Sequence, residues 1–576
     1  MSTKRLPPTL VLAFLLLAVL GAGIAVTAQS PSRAMEGELP TSILQRERLA
    51  KAQPDECFNG IGLPYSGTVP ACESGMPKVN QSYVWGLAKA GDDLWFGTGP
   101  NIHCLVFSGF LGITTPIQTA SYVCEFGESQ YSPPLPPAGG DWRPPDLFRY
   151  DTEGGTLTEV TPVDPRVNLT SGIRSAGAHD GVVLLGGPGL LGGINLFAFD
   201  AQTDAYLGST TLLAYSNIRK WLVVEGVLYA GVRSALDGGG RVLRWTGNVA
   251  KPFQFEVVGT LGSEPAELAL HEGRLFVSTW PNLTADPIES ASLYMSPPIP
   301  PDGLTGADAG GWQRVWQAED YEPDPVTAAT YGGGALHSFD GHLYWGTMHV
   351  PFLAAFAHFS VYGMPANAAQ AVATILNSHR AISIFRGQDF GTPDQEIELL
   401  YGSRLLFSYL PQLGIWAPVP NHMGSGSLGI APLWGPAGFD NYYNNYTWTM
   451  DEYEGQLYVG TMDDSYLIEE GLPLILAILG LPPDTPVPLP EATNGADLYR
   501  FPKAGSPALA ESLNGVGNPS TYGVRTMIAD DALYLGMANP MNLLTDPLDD
   551  KPEGGWELLR LTAPEPWRVY LPLVVR

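Results

Sequence analysis

A two-residue polar turn followed by an apolar strand, as in "YEGQLYVGTMDD" at 453–464, recurs along this chain. Variants read "AGDDLWFGTGPN", "VEGVLYAGVRSA", "HEGRLFVSTWPN", "FDGHLYWGTMHV" and "ADDALYLGMANP". A degenerate copy, "HDGVVLLGG", keeps the turn and the spacing. An acid–Gly or acid–acid pair between apolar runs is a hairpin signal, and a hairpin repeated tens of residues apart implies a repeat architecture. No other feature of the chain constrains its fold as strongly.

The copies align on Gly97, Gly186, Gly231, Ser278, Gly346, Gly460 and Gly536. A third strand follows each hairpin, as in "DLFRYD", "NLFAFD", "RVLRWT" or "DLYRFP", and then a fourth, as in "TLTEVTP", "FEVVGTL" or "EIELLYG". Seven sets of four short antiparallel strands predict an all-β chain folded as a seven-bladed β-propeller. "VWGLAKAGDDLWFGTG" and "YTWTMDEYEGQLYVGTMD" resemble the repeats of seven-bladed propellers of the regulator-propeller and kelch-like kind, over residues 75–576. The resemblance implies an architecture and not a function. Neither a repeated WD dipeptide nor an S-x-D-x-G-x-T-W box is present.

The spacing predicts blades over 83–161, 172–210, 217–260, 266–317, 334–401, 446–513 and 522–575, within a propeller spanning 81–576. "WRVYLPLVV" is expected as the outermost strand of the last blade, where an edge position tolerates Pro572. "VYLPLVVR" also resembles the terminal tails of many secreted proteins of Chloroflexi-type bacteria, which would make it an address as well as a strand.

Lys4 and Arg5 precede an apolar run from Leu10 to Val26, and small residues follow up to Ala28. This reads as a signal peptide over 1–28, which after cleavage leaves a secreted or cell-surface protein with no integral membrane span; the alternative is an uncleaved membrane anchor, since the run is near the lower limit for spanning. Residues 29–80 form an N-terminal segment, of which 29–50 is expected to be disordered or loosely packed. The four cysteines, Cys57, Cys72, Cys104 and Cys124, are even in number and clustered early. In an exported chain this favours two disulfides. Three pairings are open, and proximity in sequence suggests Cys57–Cys72 and Cys104–Cys124. Acids outnumber bases 58 to 30, for a net charge of −28. That balance repels phosphate backbones and excludes nucleic acid as a partner.

Strand alternation places the first-to-second turns on one face of the propeller and the second-to-third loops and inter-blade connections on the other. The first kind are tight. The second include 99–145, 349–380, 464–495, 538–555 and 402–445. Long excursions from a rigid scaffold usually carry function, so the decorated face is the expected binding face. "PANAAQAVATILNSH" (365–379) has helical spacing, and "LIEEGLPLILAILGL" (467–481) is apolar enough to pack over the propeller.

Twelve residues before the seven aligned positions stand Trp85, Arg174, Arg219, Ala266, Gly334, Trp448 and Val524, with Arg525 one place on. Arg and Trp at one register, early in the innermost strands, suit a channel mouth that grips a carboxylate and stacks on a ring. The alternative is that the arginines pair with nearby carboxylates such as Glu267 and the indoles fill gaps between blades. "GPAGFDNYYNNYTW" (435–448) adds Tyr442, Tyr443 and Tyr446 as candidate ligand contacts, or as a structural lid. Asp463 and Asp464, with Glu469 and Glu470, are expected in a solvated loop. His337, His342 and His349 fall too far apart for a shared metal. No GxSxG elbow, HExxH, phosphate loop or dinucleotide fingerprint is present, so no catalytic residue, cofactor or metal is expected. These features favour a protein that binds a glycan, peptide or protein over an extracellular polysaccharide lyase or hydrolase, or a surface scaffold. They leave the oligomeric state open.

Overall fold

The computed structural model describes residues 43–63, 72–112, 114–119, 123–126, 142–424, 428–540, 543–544 and 553–564. The repeated phrase folds as a hairpin each time. In five copies the loop has two residues, both with positive φ: Asp180–Gly181, Glu225–Gly226, Glu272–Gly273, Asp340–Gly341 and Glu454–Gly455. Two left-handed residues in succession give the hairpin turn whose twist matches that of the flanking strands, and glycine takes the second place without strain.

The chain is all-β in its framework. Residues 175–212, 215–261 and 264–317 each form a separate four-stranded antiparallel sheet in sequence order. The same order of pairing runs through 81–159, 331–402, 444–512 and 523–562, whose strands are joined into one 17-stranded sheet. The joints are single bridges between a second strand and the next first strand: Met348 to Tyr446, Met462 to Gly523 and Ala538 to Tyr83. The first strands of successive units pack side by side, and Gly523–Ala529 packs against Gln81–Ala90.

The strand beside Glu557–Thr562 is not the expected one. Gln45–Lys51 pairs antiparallel with Glu557–Thr562, from Gln45 opposite Thr562 to Lys51 opposite Glu557. Residues 45–50 are therefore ordered, against expectation, and "WRVYLPLVV" at 567–575 lies outside the described residues. Electrostatics reinforce the closure: Arg48 pairs with Glu557, Lys51 with Glu553 and Arg560 with Glu47.

Both suggested disulfides are present, Cys57–Cys72 and Cys104–Cys124, with Cα separations of 5.5 and 5.7 Å. The insertions carry helices Ile102–Leu111, Leu353–Tyr362, Ala368–Ser378 and Ser465–Ile478. The last two answer to the two helical expectations. None of the described helices is long and apolar enough to cross a membrane. The 402–445 excursion also holds a separate hairpin, Leu405–Leu410 with Ile415–Pro420. Leu467 and Ile475 join Ile102, Cys104, Cys124, Tyr83, Tyr446, Trp448 and Tyr522 in one buried cluster, with Leu353 and Phe356 packed against it. This plug sits where the inner strands begin.

Candidate functional site

Most inner strands carry a β-bulge at the same place. Pairing with the second strand skips Trp85, Arg219, Ala266, Trp448 and Arg525, and Gly334 with Ala335. Arg174 directly precedes its strand, Ser175–His179. A bulge re-aims the extra residue and is a common device beside binding sites. It also settles the register of the last unit, where Arg525 and not Val524 is the equivalent residue.

Two bulges and the residue that precedes Ser175–His179 bring three arginines together, each over an indole. The guanidinium carbon of Arg174 lies 5.3 Å from the Trp85 ring centroid, that of Arg219 lies 4.8 Å from Trp280, and that of Arg525 lies 5.7 Å from Trp448. These are cation–π distances. Each indole abuts a glycine where no Cβ could fit. A methyl built on Gly172 would stand 2.4 Å from Trp85, one on Gly523 would stand 2.0 Å from Trp448, and one on Gly332 would stand 2.8 Å from Trp280. The words "GIR" (172–174) and "GVR" (523–525) thus encode an indole seat followed by the guanidinium that covers it.

None of the three arginines forms an ion pair among the described residues. Arg174 donates to Asn217 Oδ1 at 3.1 Å, and the buried Nε atoms of Arg174, Arg219 and Arg525 all lack a hydrogen-bond partner. Glu267 instead pairs with Lys220 at 3.0 Å, and Glu264 lies 3.6 Å from Arg233. Burial pushes the guanidinium pKa of Arg174 well down, with Arg219 adding repulsion. Burial lowers that of Arg219 as well, against the pull of Glu264 and Glu267. Arg525 is pushed down to about 10 by burial and by Arg219. A guanidinium keeps its proton in a folded protein, so these directions describe three crowded cations short of counter-charge.

The arginines line a cavity of about 450 Å³, within the range of small-molecule sites. Its lining runs from Trp85, Arg174, Arg219 and Arg525 along the inner strands to Lys89, Val223 and Ala529 beside the hairpin turns. The buried cluster that includes Tyr83, Trp448 and Tyr522 closes the other end. The arginines therefore form the floor of a cavity reached from the hairpin face. Residues of the 99–145, 349–380, 464–495 and 538–555 insertions, expected to frame the mouth, pack into this cluster instead, and none of the described residues of 402–445 does.

Of the remaining expected contacts, Tyr446 lies closest to this floor. Its ring meets Trp448 and Trp280 edge-on at 5.4 and 6.4 Å, and burial raises its pKa. Tyr442 and Tyr443 lie elsewhere. Tyr442 stacks on His379 at 3.8 Å, and the Tyr443 hydroxyl donates to the Pro490 carbonyl at 2.5 Å. Asp463 and Asp464 are not in a solvated loop, because both are fully buried. Asp463 accepts from Ser465 and Asn441, and Asp464 accepts from Asn445 at 2.7 Å. Burial raises both carboxyl pKa values, and for Asp464 the charge of Asp463 adds to the effect. His349 bonds Thr347 at 2.8 Å, and His342 bonds the Asp340 carbonyl at 3.1 Å. Sequence reasoning missed Trp280, two residues past Ser278 in a second strand, because it considered inner-strand positions alone.

No protein-family model and no curated protein matches the chain. Among solved structures it is similar to the β-propeller domain of the Trilobed protease from Pyrococcus furiosus, at 9% identity and a TM-score of 0.30 over 75% of this chain and 98% of that one. It is also similar to Sqt1 of Saccharomyces cerevisiae, at 9% identity and a TM-score of 0.33 over 84% and 97% of the two chains. A prolyl endopeptidase gives 9% identity and a TM-score of 0.36, over 84% of this chain and 51% of that one.

Proposed function

We propose that this chain is a secreted, seven-bladed β-propeller that binds an anionic organic ligand in its central channel, entered from the hairpin face. The observation carrying this reading is the floor of three guanidiniums, each on an indole and none paired with a carboxylate among the described residues. Three unpaired cations are costly to gather, and a chain of net charge −28 has carboxylates to spare for neutralising them. An anion at the floor supplies what the protein withholds. Acidic sugars, peptide C-termini and small organic acids all carry the required group. The apolar run before Ala28 and the two disulfides support export.

Binding is favoured over catalysis because the acids lining the cavity are engaged. Glu267 holds Lys220, and Asp451 accepts from the backbone N–H of Ala529 at 2.9 Å. The test is calorimetric titration of the full chain, expressed with its own N-terminus, against small carboxylates and inorganic phosphate. Arg219→Ala is expected to weaken binding at least about tenfold, the usual scale for a lost charge-assisted contact, while the fold is retained. If Arg219→Ala and Arg525→Ala both bind as the parent does, the channel is not the site.

A further inference from the structure

We infer that the chain carries a second site among its insertions, a groove that binds a neutral oligosaccharide. The groove lies between helices Leu353–Tyr362 and Ala368–Ser378 and the hairpin of Leu405–Leu410 with Ile415–Pro420. It encloses about 530 Å³ and shares no lining residue with the channel. One wall is aromatic. Tyr362, Tyr409 and Trp416 line it in series, with ring centroids 4.8 Å apart for the two tyrosines and 5.4 Å apart for Tyr409 and Trp416. The other wall is a face of Ala368–Ser378 that contributes Gln370, Thr374 and Asn377, at i, i+4 and i+7 spacing. Gln370 Oε1 accepts from the Ala366 N–H at 2.9 Å, so its Nε2 remains to donate. The rest of the lining is His358 and apolar groups: Phe359, Met364, Pro365, Ile415, alanines and glycines.

The aromatic wall is held in place by a buried carboxylate. His358 Nε2 lies 3.1 Å from Asp324 Oδ1, and Asp324 Oδ2 accepts from the Tyr409 N–H at 2.9 Å, so Asp324 ties helix to hairpin. The His358 ring in turn lies 4.6 Å from Trp416 and 5.6 Å from Tyr362. His358 Nδ1 is buried without a hydrogen-bond partner among the described residues; a hydroxylated ligand offers one, and an apolar ligand does not. A charged ligand finds no acid, lysine or arginine in this lining. A wholly apolar one would desolvate Gln370, Thr374 and Asn377 and satisfy none of them. A proline ring or a methylated ammonium is gripped between separated aromatic rings, and rings in mutual contact leave no such slot. A pyranose lays its C–H face on the rings and turns its hydroxyls to the amides, which matches both walls.

Calorimetric titration of the full chain with cellohexaose, xylohexaose, laminarihexaose and mannohexaose tests this, beside a decaproline peptide and tetramethylammonium. At least one hexasaccharide is expected to bind. Trp416→Ala and Tyr362→Ala should each weaken it about tenfold, and Trp416→Phe should retain most of the affinity. Asn377→Ala, on a helix face, should weaken it several-fold without lowering the melting temperature. Tyr362 stands at the exposed end of its helix, so its variant keeps the test alive if thermal melts show that Trp416→Ala is misfolded. No binding of any of the four hexasaccharides, or binding that survives both ring-to-alanine variants, would overturn the inference. Tighter binding of decaproline or tetramethylammonium than of every saccharide would also overturn it.

Discussion

Gly523 shows how a single residue can set the floor of the channel. Its Cα faces the Trp448 ring so closely that an added methyl would lie 2.0 Å from it, and Arg525 two residues on covers the same ring. Gly523→Ala must push the indole or the strand aside, which typically costs about 1–3 kcal/mol. It should lower the melting temperature and weaken ligand binding together, whereas a surface Gly→Ala such as that at Gly505, which has open space around it, should do neither. Asp497 gives a second test at this scale. It is fully buried and accepts from Asn444, Asn441 and Tyr499, yet burial and the charge of Asp463 raise its pKa from 3.8 to about 7. The folded chain therefore holds this proton more tightly than the unfolded chain does. The resulting stability is fully present below about pH 4 and is lost as pH rises toward 7. Asp497→Asn should flatten the fall in melting temperature across that window. An unchanged pH profile would show that Asp497 is ionised in the fold throughout. Little of this was legible in the sequence, because the burial of Asp463, Asp464 and Asp497 depends on asparagines contributed by 441–445.

Hairpins were legible and their closure was not. An acid–Gly pair between apolar strands announces its turn locally, since both residues must adopt positive φ. By contrast "QRERLAK" (45–51) has no apolar alternation, and its partner lies some five hundred positions away. Its pairing is visible only once the first and last units are neighbours. The C-terminal "WRVYLPLVV" looked the better strand by propensity, but the place beside Glu557–Thr562 is taken by Gln45–Lys51. Removing residues 43–51 should leave Glu557–Thr562 as an open edge and break the pairs to Glu553 and Glu557. We expect a melting temperature at least about 5 °C lower, at roughly 2–4 °C per kcal/mol for a large domain, with visible aggregation. An unchanged melting curve would mean that another segment takes the same edge. The insertion helices were partly legible: Asn367 caps Ala368–Ser378 by accepting from the Gln370 N–H, and Ser465–Ile478 is strongly apolar. The role of Ser465–Ile478 as a plug was hidden, because it depends on its meeting Tyr83, Trp448 and Tyr522 from distant units, while Ile375 of the other helix packs on Ala355 and Phe359.

For the molecule as a whole, plug and floor are two sides of one arrangement. The insertion helices and the Cys104–Cys124 bridge close one end of the channel with apolar side chains, and the arginines lie just inside that seal. Shielded from water on the plug side, a guanidinium attracts an anion more strongly than it would at the surface. The other end opens at tight turns, so in the proposed binding role any discrimination would fall to the residues that line the cavity. The most direct test of this account is a crystal of the full chain soaked with 4-bromobenzoate and measured at the bromine edge. The account predicts an anomalous peak inside the channel, with the carboxylate within hydrogen-bonding distance of Arg219 and at least one of Arg174 and Arg525. A peak confined to the insertion face, or an empty channel at a concentration that saturates binding in solution, would contradict it.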